Sequence, residues 1–178
     1  SWSLHLKLNN TKTMEIHYEK YFENYISKST SQDIETTLVE SHNTLVSLIL
    51  ELNETELLYR YQENKWSVKD IIQHLIDTER IFVYRALRFA RNDSAELISY
   101  DENDYVDNAN ADRKTKEELI QEYVSVHRST ILFYNQLTLD ELEREGIANN
   151  VKFSVFGIAH IIAGHTQHHV GVIKERYF

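Results

Sequence analysis

Four histidines lie within the ten-residue stretch from His160 to His169, near the end of the chain. Two of them, His165 and His169, are four residues apart, which on an α-helix stacks their side chains on one face, one turn apart. Histidine is the commonest nitrogen ligand for metals in proteins, so two imidazoles spaced in this way can bind one ion. The spacing indicates two of the ligands of a metal site.

The apolar side of this predicted helix supports the same pair. At about 100° per residue, His165 and His169 fall near the middle of the apolar arc, and His168 falls at its edge. A neutral imidazole buried without a partner costs roughly 2–7 kcal/mol, so a metal, a carboxylate or a backbone carbonyl must serve the pair. From this helix alone, two core histidines bonded to side chains or water are as good an interpretation as a metal site. The residues that define the arc are Ile158, Ile161, Ile162, Val172 and Ile173.

Length and composition favour one helical domain. The chain has 178 residues, enough to bury a core, with no proline and only 4 glycines. A β-rich fold needs many turn residues, so their scarcity favours long helices with few connections. The absence of cysteine excludes disulfides, thiolate zinc sites and thiol nucleophiles, so a bound metal must use histidines and carboxylates.

The charge and hydropathy patterns disfavour nucleic-acid and membrane partners. With 19 Lys and Arg against 28 Asp and Glu, the net charge is −9, which opposes binding to phosphate backbones. No apolar run approaches the length of a transmembrane span, and residues 1–13 lack the apolar segment of a secretory signal. We expect residues 1–13 to be a leader or a disordered extension, residues 14–178 to form a single domain, and the protein to be cytoplasmic.

Four stretches carry apolar residues at helical spacing. They run from about Asp33 to Leu52, from Ser67 to Arg91, from Thr115 to Leu137 and from Ser154 to Arg176. Ser67 is a good N-cap, with Asp70 three residues later. Short helical turns are expected at Glu54–Tyr59 and Asp140–Glu145. The polar segment Asn92–Arg113 is interpreted as a long loop that crosses between the two halves.

A short internal repeat supports two matched halves. The tetrapeptide Lys-Trp-Ser-Val at residues 65–68 recurs as Lys-Phe-Ser-Val at 152–155, and each copy opens a helix. Two helical hairpins related in this way form a four-helix bundle, whose core builds metal sites from side chains on facing helices. On the second helix, His74 lies at the flank of the apolar arc, where it could reach a neighbouring helix. Taken alone, it would more often be a boundary histidine.

Three stretches resemble the DinB-like (YfiT-like) superfamily of metal-dependent enzymes. They are KWSVKDIIQHLIDTERIFVYRALRFARND (Lys65–Asp93), YDENDYV (Tyr100–Val106) and HIIAGHTQHHVGVIKERY (His160–Tyr177). The resemblance implies an all-α, up-down-down-up four-helix bundle that holds a divalent metal with three histidines. One comes from the second helix and two, spaced H-x-x-x-H, from the fourth. By motif position these are His74, His165 and His169, and the helical wheel selects the same pair on the fourth helix.

A three-histidine site sets the expected chemistry. Zinc or nickel is the metal we expect first, and iron, cobalt or manganese would also fit. Three protein ligands leave a position for water or substrate, as in catalytic rather than structural sites. Because members of the superfamily include hydrolases and thiol S-transferases, we expect hydrolysis of a small molecule or transfer of a low-molecular-weight thiol by a homodimer. The alternative is a non-catalytic metal-binding or dimeric stress-response module.

Three side chains are candidates for catalytic support near this metal. Asp77, three residues after His74, could accept its ring N–H and fix the tautomer. His168 could shuttle protons. Asp101, like Asp104 in the same predicted loop, could approach the open coordination position. Each of these candidates has an alternative interpretation as a surface side chain without a catalytic role.

Other residues and motifs fit a metal site less well. Glu79 lies beyond the opposite flank of its apolar arc, so we do not expect it at the metal, and His127 is interpreted as a packed boundary residue. The protease motif H-E-x-x-H needs a glutamate where Thr166 stands. The related iron-dependent sulfoxide synthases carry H-x-x-x-H-x-E, and Gly171 occupies that glutamate position.

Overall fold

The computed structural model describes the backbone of residues 2–8 and 12–18 and all of residues 33–178. Strands β1 (Trp2–Leu8) and β2 (Lys12–Tyr18) pair antiparallel, so the predicted boundary after residue 13 falls inside β2. The remaining elements are α1 (Ile34–Glu51), α2 (Glu54–Leu57), α3 (Val68–Ala90), α4 (Glu102–Ala109), a 3₁₀ turn (Ala111–Arg113), α5 (Lys116–Asn135), α6 (Leu139–Glu143), β3 (Glu145–Ala148), β4 (Val151–Ser154) and α7 (Val155–Arg176).

The four predicted long helices are α1, α3, α5 and α7, and a polar side chain caps the start of each. The Ser67 hydroxyl accepts from the Asp70 amide, and the Asp70 carboxylate accepts from the Ser67 amide, which forms a capping box at α3. Thr115 and Glu118 form the same arrangement at α5. Ser154 caps α7, so both copies of the repeated tetrapeptide open a helix as predicted.

Two apolar layers show how the long helices run. One layer joins the start of α1, the ends of α3 and α5, and the start of α7. The other joins the end of α1, the starts of α3 and α5, and the end of α7. Helices α1 and α7 therefore run one way and α3 and α5 the other, which confirms the up-down-down-up bundle. Helices α1 and α3 each pack against both α5 and α7. Among the described residues, no helix has the length and apolar character that crossing a bilayer requires.

The crossing segment between α3 and α5 is helical in part. The prediction of a loop over Asn92–Arg113 is therefore wrong for Glu102–Ala109 and Ala111–Arg113. The Asp101 carboxylate caps α4 by accepting from the amides of Asn103 and Asp104. Only Val106 of this helix is buried. A helix with one buried apolar residue has almost no hydrophobic periodicity, and its cap is then the remaining sequence signal.

The hairpin of β3 and β4 was not predicted. Asn149 and Asn150 form its turn with φ of 53° and 60°, the left-handed pair that a tight antiparallel hairpin requires. A Cβ on Gly146 would lie 2.0 Å from the Phe89 ring, so only glycine allows β3 to approach α3 so closely. Backbone hydrogen bonds at Leu97 attach the crossing segment to this hairpin.

His127 lies in the core rather than at a boundary, and Glu79 is its partner. His127 is fully buried, with Nδ1 2.9 Å from the Glu79 carboxylate and Nε2 2.9 Å from the Leu38 carbonyl oxygen. The Thr130 hydroxyl donates to the same carboxylate. Burial alone would lower the pKa of His127, but the hydrogen bond and the charge of Glu79 outweigh it and raise the pKa. The pair links α1, α3 and α5.

We expect Glu79→Gln to lower the free energy of unfolding by about 3 kcal/mol, because it removes the buried carboxylate that His127 and Thr130 contact in the core. Urea denaturation followed by circular dichroism measures the loss. Glu122→Gln is the matched control, because Glu122 pairs with Arg80 and Lys114 at half-buried positions. That change should cost about 1 kcal/mol or less. Equal losses in the two variants would contradict a stabilising role for the buried pair.

Candidate metal centre

Three histidines meet between the antiparallel helices α3 and α7. The Nε2 atom of His165 lies 3.1 Å from Nε2 of His74 and 3.1 Å from Nε2 of His169. Nitrogens that bind one tetrahedral zinc at about 2.0–2.1 Å lie roughly 3.3 Å apart, so this spacing fits a shared ion. In the described part of the chain, these are the residues whose potential ligand atoms cluster, all within 4.8 Å of one another. The predicted trio is therefore brought together.

The buried environment favours the neutral form of His74 and His165, which keeps their lone pairs available. His74 and His165 are buried, and His169 is half-buried. Burial lowers the pKa of His74 to about 4. Burial, followed by repulsion from the neighbouring imidazoles, lowers the pKa of His165 well below its ordinary value. A proton can bridge one pair of Nε2 atoms, whereas a cation satisfies all three lone pairs together. The donor set therefore fits a divalent metal ion.

The outer nitrogen of His74 contacts a hydroxyl group. Its Nδ1 lies 3.3 Å from Thr78 Oγ1, which in turn lies 3.0 Å from the hydroxyl of Tyr100. With Nε2 as a metal ligand, Nδ1 would carry the proton and donate it to the Thr78 hydroxyl. This contact fixes the tautomer and the orientation of the ring, which is the usual task of residues behind a metal ligand.

Asp77 does not occupy the position predicted for it. Its carboxylate accepts hydrogen bonds from Gln73 at 3.0 Å and from Arg80 at 3.3 Å, along the half-exposed side of α3. The structure thus corrects the prediction that Asp77 accepts the ring N–H of His74. The hydroxyl four residues after His74 reaches Nδ1, whereas the carboxylate three residues after it turns toward Arg80.

The other two catalytic candidates differ in their distance from the centre. His168 is half-buried, and its ring centroid lies 5.2 Å from that of His169 in an edge-on arrangement. Asp101 is exposed and caps α4. Asp104 is exposed on the first turn of the same helix. Neither aspartate belongs to the cluster of ligand atoms, and Glu79 is bound to His127 instead.

A cavity opens beside the half-buried member of the trio. It has a volume of about 230 Å³, and His169, Trp66 and Tyr177 contribute to its wall. The Trp66 ring lies 4.9 Å from the His74 ring, and the Tyr177 hydroxyl donates to the Trp66 carbonyl oxygen at 2.8 Å. A neighbouring cavity of about 530 Å³ shares several lining residues, Trp66 among them. Space for a small molecule therefore adjoins the three nitrogens.

Three residues of the site carried no role in the sequence analysis. Thr78 follows His74 by four residues, a spacing that places both on one helix face, but helical spacing alone does not identify a hydroxyl as the partner of an imidazole. Trp66 precedes the N-cap of α3 in the repeated tetrapeptide, which fixes it at the start of the helix. Tyr100 opens one of the stretches that carry the family resemblance. Its contact with Thr78 depends on the path of the crossing segment, which no local pattern specifies.

Comparisons with known proteins agree with this architecture. A curated relative from Oceanobacillus iheyensis, named "Putative metal-dependent hydrolase", is 24% identical over 154 residues, covering 83% of this chain and 87% of that protein. YfiT of Bacillus subtilis, described as a probable metal-dependent hydrolase with an unusual four-helix bundle topology, superposes with a TM-score of 0.69 at 16% identity, over 95% of this chain and 90% of its own. The DinB-like protein YjoA of Bacillus subtilis gives a TM-score of 0.56 at 16% identity, over 81% and 89%.

Membership rests on the family model rather than on the solved structures. At 16% identity, the two structural likenesses establish the fold alone. The model of the DinB superfamily matches residues 37–173, well over half of the chain, and this range contains His74, His165 and His169. The chain therefore belongs to the DinB superfamily.

Proposed function

We propose that this protein is a metal-dependent hydrolase of a small molecule, with a divalent ion held by His74, His165 and His169. The observation that carries the proposal is the convergence of three Nε2 atoms from two helices, at 3.1 Å spacings, in a buried site. The names of the relative from Oceanobacillus iheyensis and of YfiT support metal-dependent hydrolysis as the reaction class. We propose zinc or nickel as the metal.

The surroundings of the trio favour catalysis over a purely structural ion. In the described part of the chain, the cluster offers three ligands, one fewer than a closed tetrahedral site requires. His169 also faces the cavity of about 230 Å³, where a small substrate has room beside the ligands. These features are what we would expect if the metal keeps a position for substrate or water. A non-catalytic module would instead need a fourth ligand or a filled cavity.

The chain's own residues have separate tasks in this proposal. A bound divalent ion supplies Lewis-acid chemistry, which polarises a carbonyl and lowers the pKa of water. Thr78 holds the His74 ring in the tautomer that presents Nε2. His168, whose ring packs edge-on against His169, is the candidate that we retain for moving a proton. Trp66 and the other cavity residues exclude bulk water and orient the substrate.

Thiol S-transfer has less support than hydrolysis. Both relatives with a named activity are described as hydrolases, and no residue of the described site is specific for a thiol. We therefore propose hydrolysis and keep S-transfer as an outcome of the activity assay. The homodimer and the cytoplasmic location expected from the sequence remain proposals of the same kind.

Metal analysis of the purified protein tests the ligand assignment. We expect about one equivalent of a divalent transition metal in the wild type and loss of most of it in His165→Ala and His169→Ala, because two imidazoles hold such ions much more weakly than three. Elemental analysis by mass spectrometry gives the metal content. His168→Ala is the matched control, since it removes an adjacent imidazole and should leave the metal in place. Retention of metal by both ligand variants would overturn the assignment.

The reaction class needs its own assay. We expect the metal-loaded protein to hydrolyse at least one compound in a panel of small esters and amides, to lose this activity with a chelator and to regain it with zinc or nickel. His168→Ala should keep its metal and lose rate, which separates proton transfer from binding. A panel that includes a thiol and an electrophilic acceptor measures S-transfer in parallel. Transfer in the absence of any hydrolysis would contradict the proposed reaction.

Thr78→Val tests the contact behind His74. Removing the hydroxyl leaves Nδ1 without its acceptor, so we expect metal affinity to fall by about 10–100-fold while the fold is retained. Competition with a chromophoric chelator measures the affinity. Thr78→Ser should restore it, because serine keeps the hydroxyl group. Ser125→Ala is the control, since the exposed Ser125 hydroxyl donates to the Gln121 carbonyl oxygen on α5, which contributes none of the three histidines. Wild-type affinity in Thr78→Val would show that the contact is dispensable.

A further inference from the structure

Arg85 is a buried cation without a carboxylate partner. It lies on α3 with 7% of its surface exposed. Within the described residues, its guanidinium donates one hydrogen bond, at 3.3 Å to the Ile98 carbonyl oxygen, and lies 5.6 Å from the centre of the Phe82 ring. Arginine carries five N–H donors and keeps its charge in proteins. Most of the N–H donors of Arg85 therefore have no acceptor among the described residues.

The other buried cation of the described residues is paired, and so is the exposed Arg60. That buried cation, Lys69, lies 2.8 Å from the Glu54 carboxylate. Arg60 forms ion pairs with Asp70 and Asp112. Burying a charge without a counter-charge is costly, which makes an uncompensated guanidinium unusual in a core. A ligand carboxylate can supply the missing negative charge and accept from the guanidinium.

Arg85 lines a cavity that is separate from the candidate metal centre. The cavity has a volume of about 430 Å³, and none of the three histidines contributes to its wall. Its rim is apolar and aromatic, with exposed fractions of 51% for Tyr84, 89% for Ile98 and 47% for Tyr105. Exposed apolar side chains around a concave site are typical of ligand binding. The remaining lining residues are Ile81, Arg88, Glu96, Leu97, Ser99 and Tyr100.

The charges around this cavity favour a ligand with a single negative charge. Arg88 also lines it, but Arg88 is already bound to Asp93 and to the Tyr84 hydroxyl. Glu96 is exposed and forms no ion pair with Arg85. Arg85 is therefore the buried charge of this cavity that no ion pair among the described residues neutralises, and the exposed Glu96 carboxylate is the negative charge that its wall contributes. One guanidinium balances a monoanion, whereas a dianionic phosphate would leave a buried excess charge.

We propose that this cavity is a binding site for a small organic carboxylate with an apolar or aromatic body, with Arg85 as the anchor of the carboxylate. The planar guanidinium can donate two parallel hydrogen bonds to a carboxylate. Tyr84, Ile98 and Tyr105 contact the apolar body. The site does not rest on the proposed hydrolase function, since it uses no metal ligand.

Phenylacetate is the probe that tests the site, with neutral phenylacetamide and inorganic phosphate as comparisons. Isothermal titration is done on chelator-treated protein, so that the probe cannot bind through a metal. We expect phenylacetate to bind wild type, and both comparison compounds to bind much more weakly. In Arg85→Gln, loss of the charged hydrogen bonds should lower the affinity for phenylacetate by about tenfold or more. Arg91→Gln is the matched control, because Arg91 is an exposed arginine that pairs with Glu141 and does not line the cavity, and this variant should bind as wild type does.

A second measurement locates the probe without any substitution. In ¹H–¹⁵N spectra of the wild type, phenylacetate should shift the amide signals of Ile98, Ser99 and Tyr105 and leave that of His169 in place. If Arg85→Gln fails to fold, the amide shifts and the comparison of phenylacetate with phenylacetamide still test the proposal. The proposal is overturned by equal binding of phenylacetamide, by unchanged binding in a folded Arg85→Gln, by shifts elsewhere, or by no binding. None of these results bears on metal content.

Discussion

The candidate centre depends on holding three imidazoles with their Nε2 atoms close together inside the bundle. Burial lowers the pKa of His74 and His165, which disfavours protonation of these two rings. Without an ion, their approach contributes little stability, and packing on both sides of the trio must therefore enforce it. One apolar layer joins the start of α3 to the end of α7, and the other joins the end of α3 to the start of α7. The two layers fix the register in which His74 faces the pair on α7.

The bundle holds two buried polar clusters of opposite character, and the difference separates a structural pair from a functional site. In the Glu79–His127 pair, both ring nitrogens and both carboxylate oxygens have partners, and the opposite charge raises the pKa of the histidine. Such a cluster is complete as it stands and holds α1, α3 and α5 together. The three imidazoles of the other cluster offer lone pairs and, among the described residues, no carboxylate. Such a donor set is one that a divalent cation can complete.

The parts of the structure that sequence analysis predicted are those with local signals. The long helices follow apolar periodicity and capping residues such as Ser67, and the H-x-x-x-H spacing carries its geometry within one helix. The hairpin of β3 and β4 was not predicted because strands of four residues show little alternation of polar and apolar side chains. Its turn also uses Asn149 and Asn150 instead of glycine. Every described residue with positive φ is an asparagine, so counting glycine and proline underestimated the turns. The core position of His127 was missed because a helical wheel shows one apolar arc, whereas α5 packs against both α1 and α3.

Helix α3 serves both the candidate metal centre and the Arg85 cavity through one stripe of side chains. His74, Thr78 and Arg85 are separated by four and then seven residues, which places them on a common face. The crossing segment covers that face with Tyr100, which lines the Arg85 cavity and whose hydroxyl contacts Thr78. The Thr78 hydroxyl in turn contacts Nδ1 of His74. A ligand at Arg85 that displaces the Tyr100 hydroxyl removes one partner of Thr78, and the orientation of His74 then depends on a hydroxyl that is free to rotate. The two sites are therefore separate in their ligands but joined by this one chain of contacts.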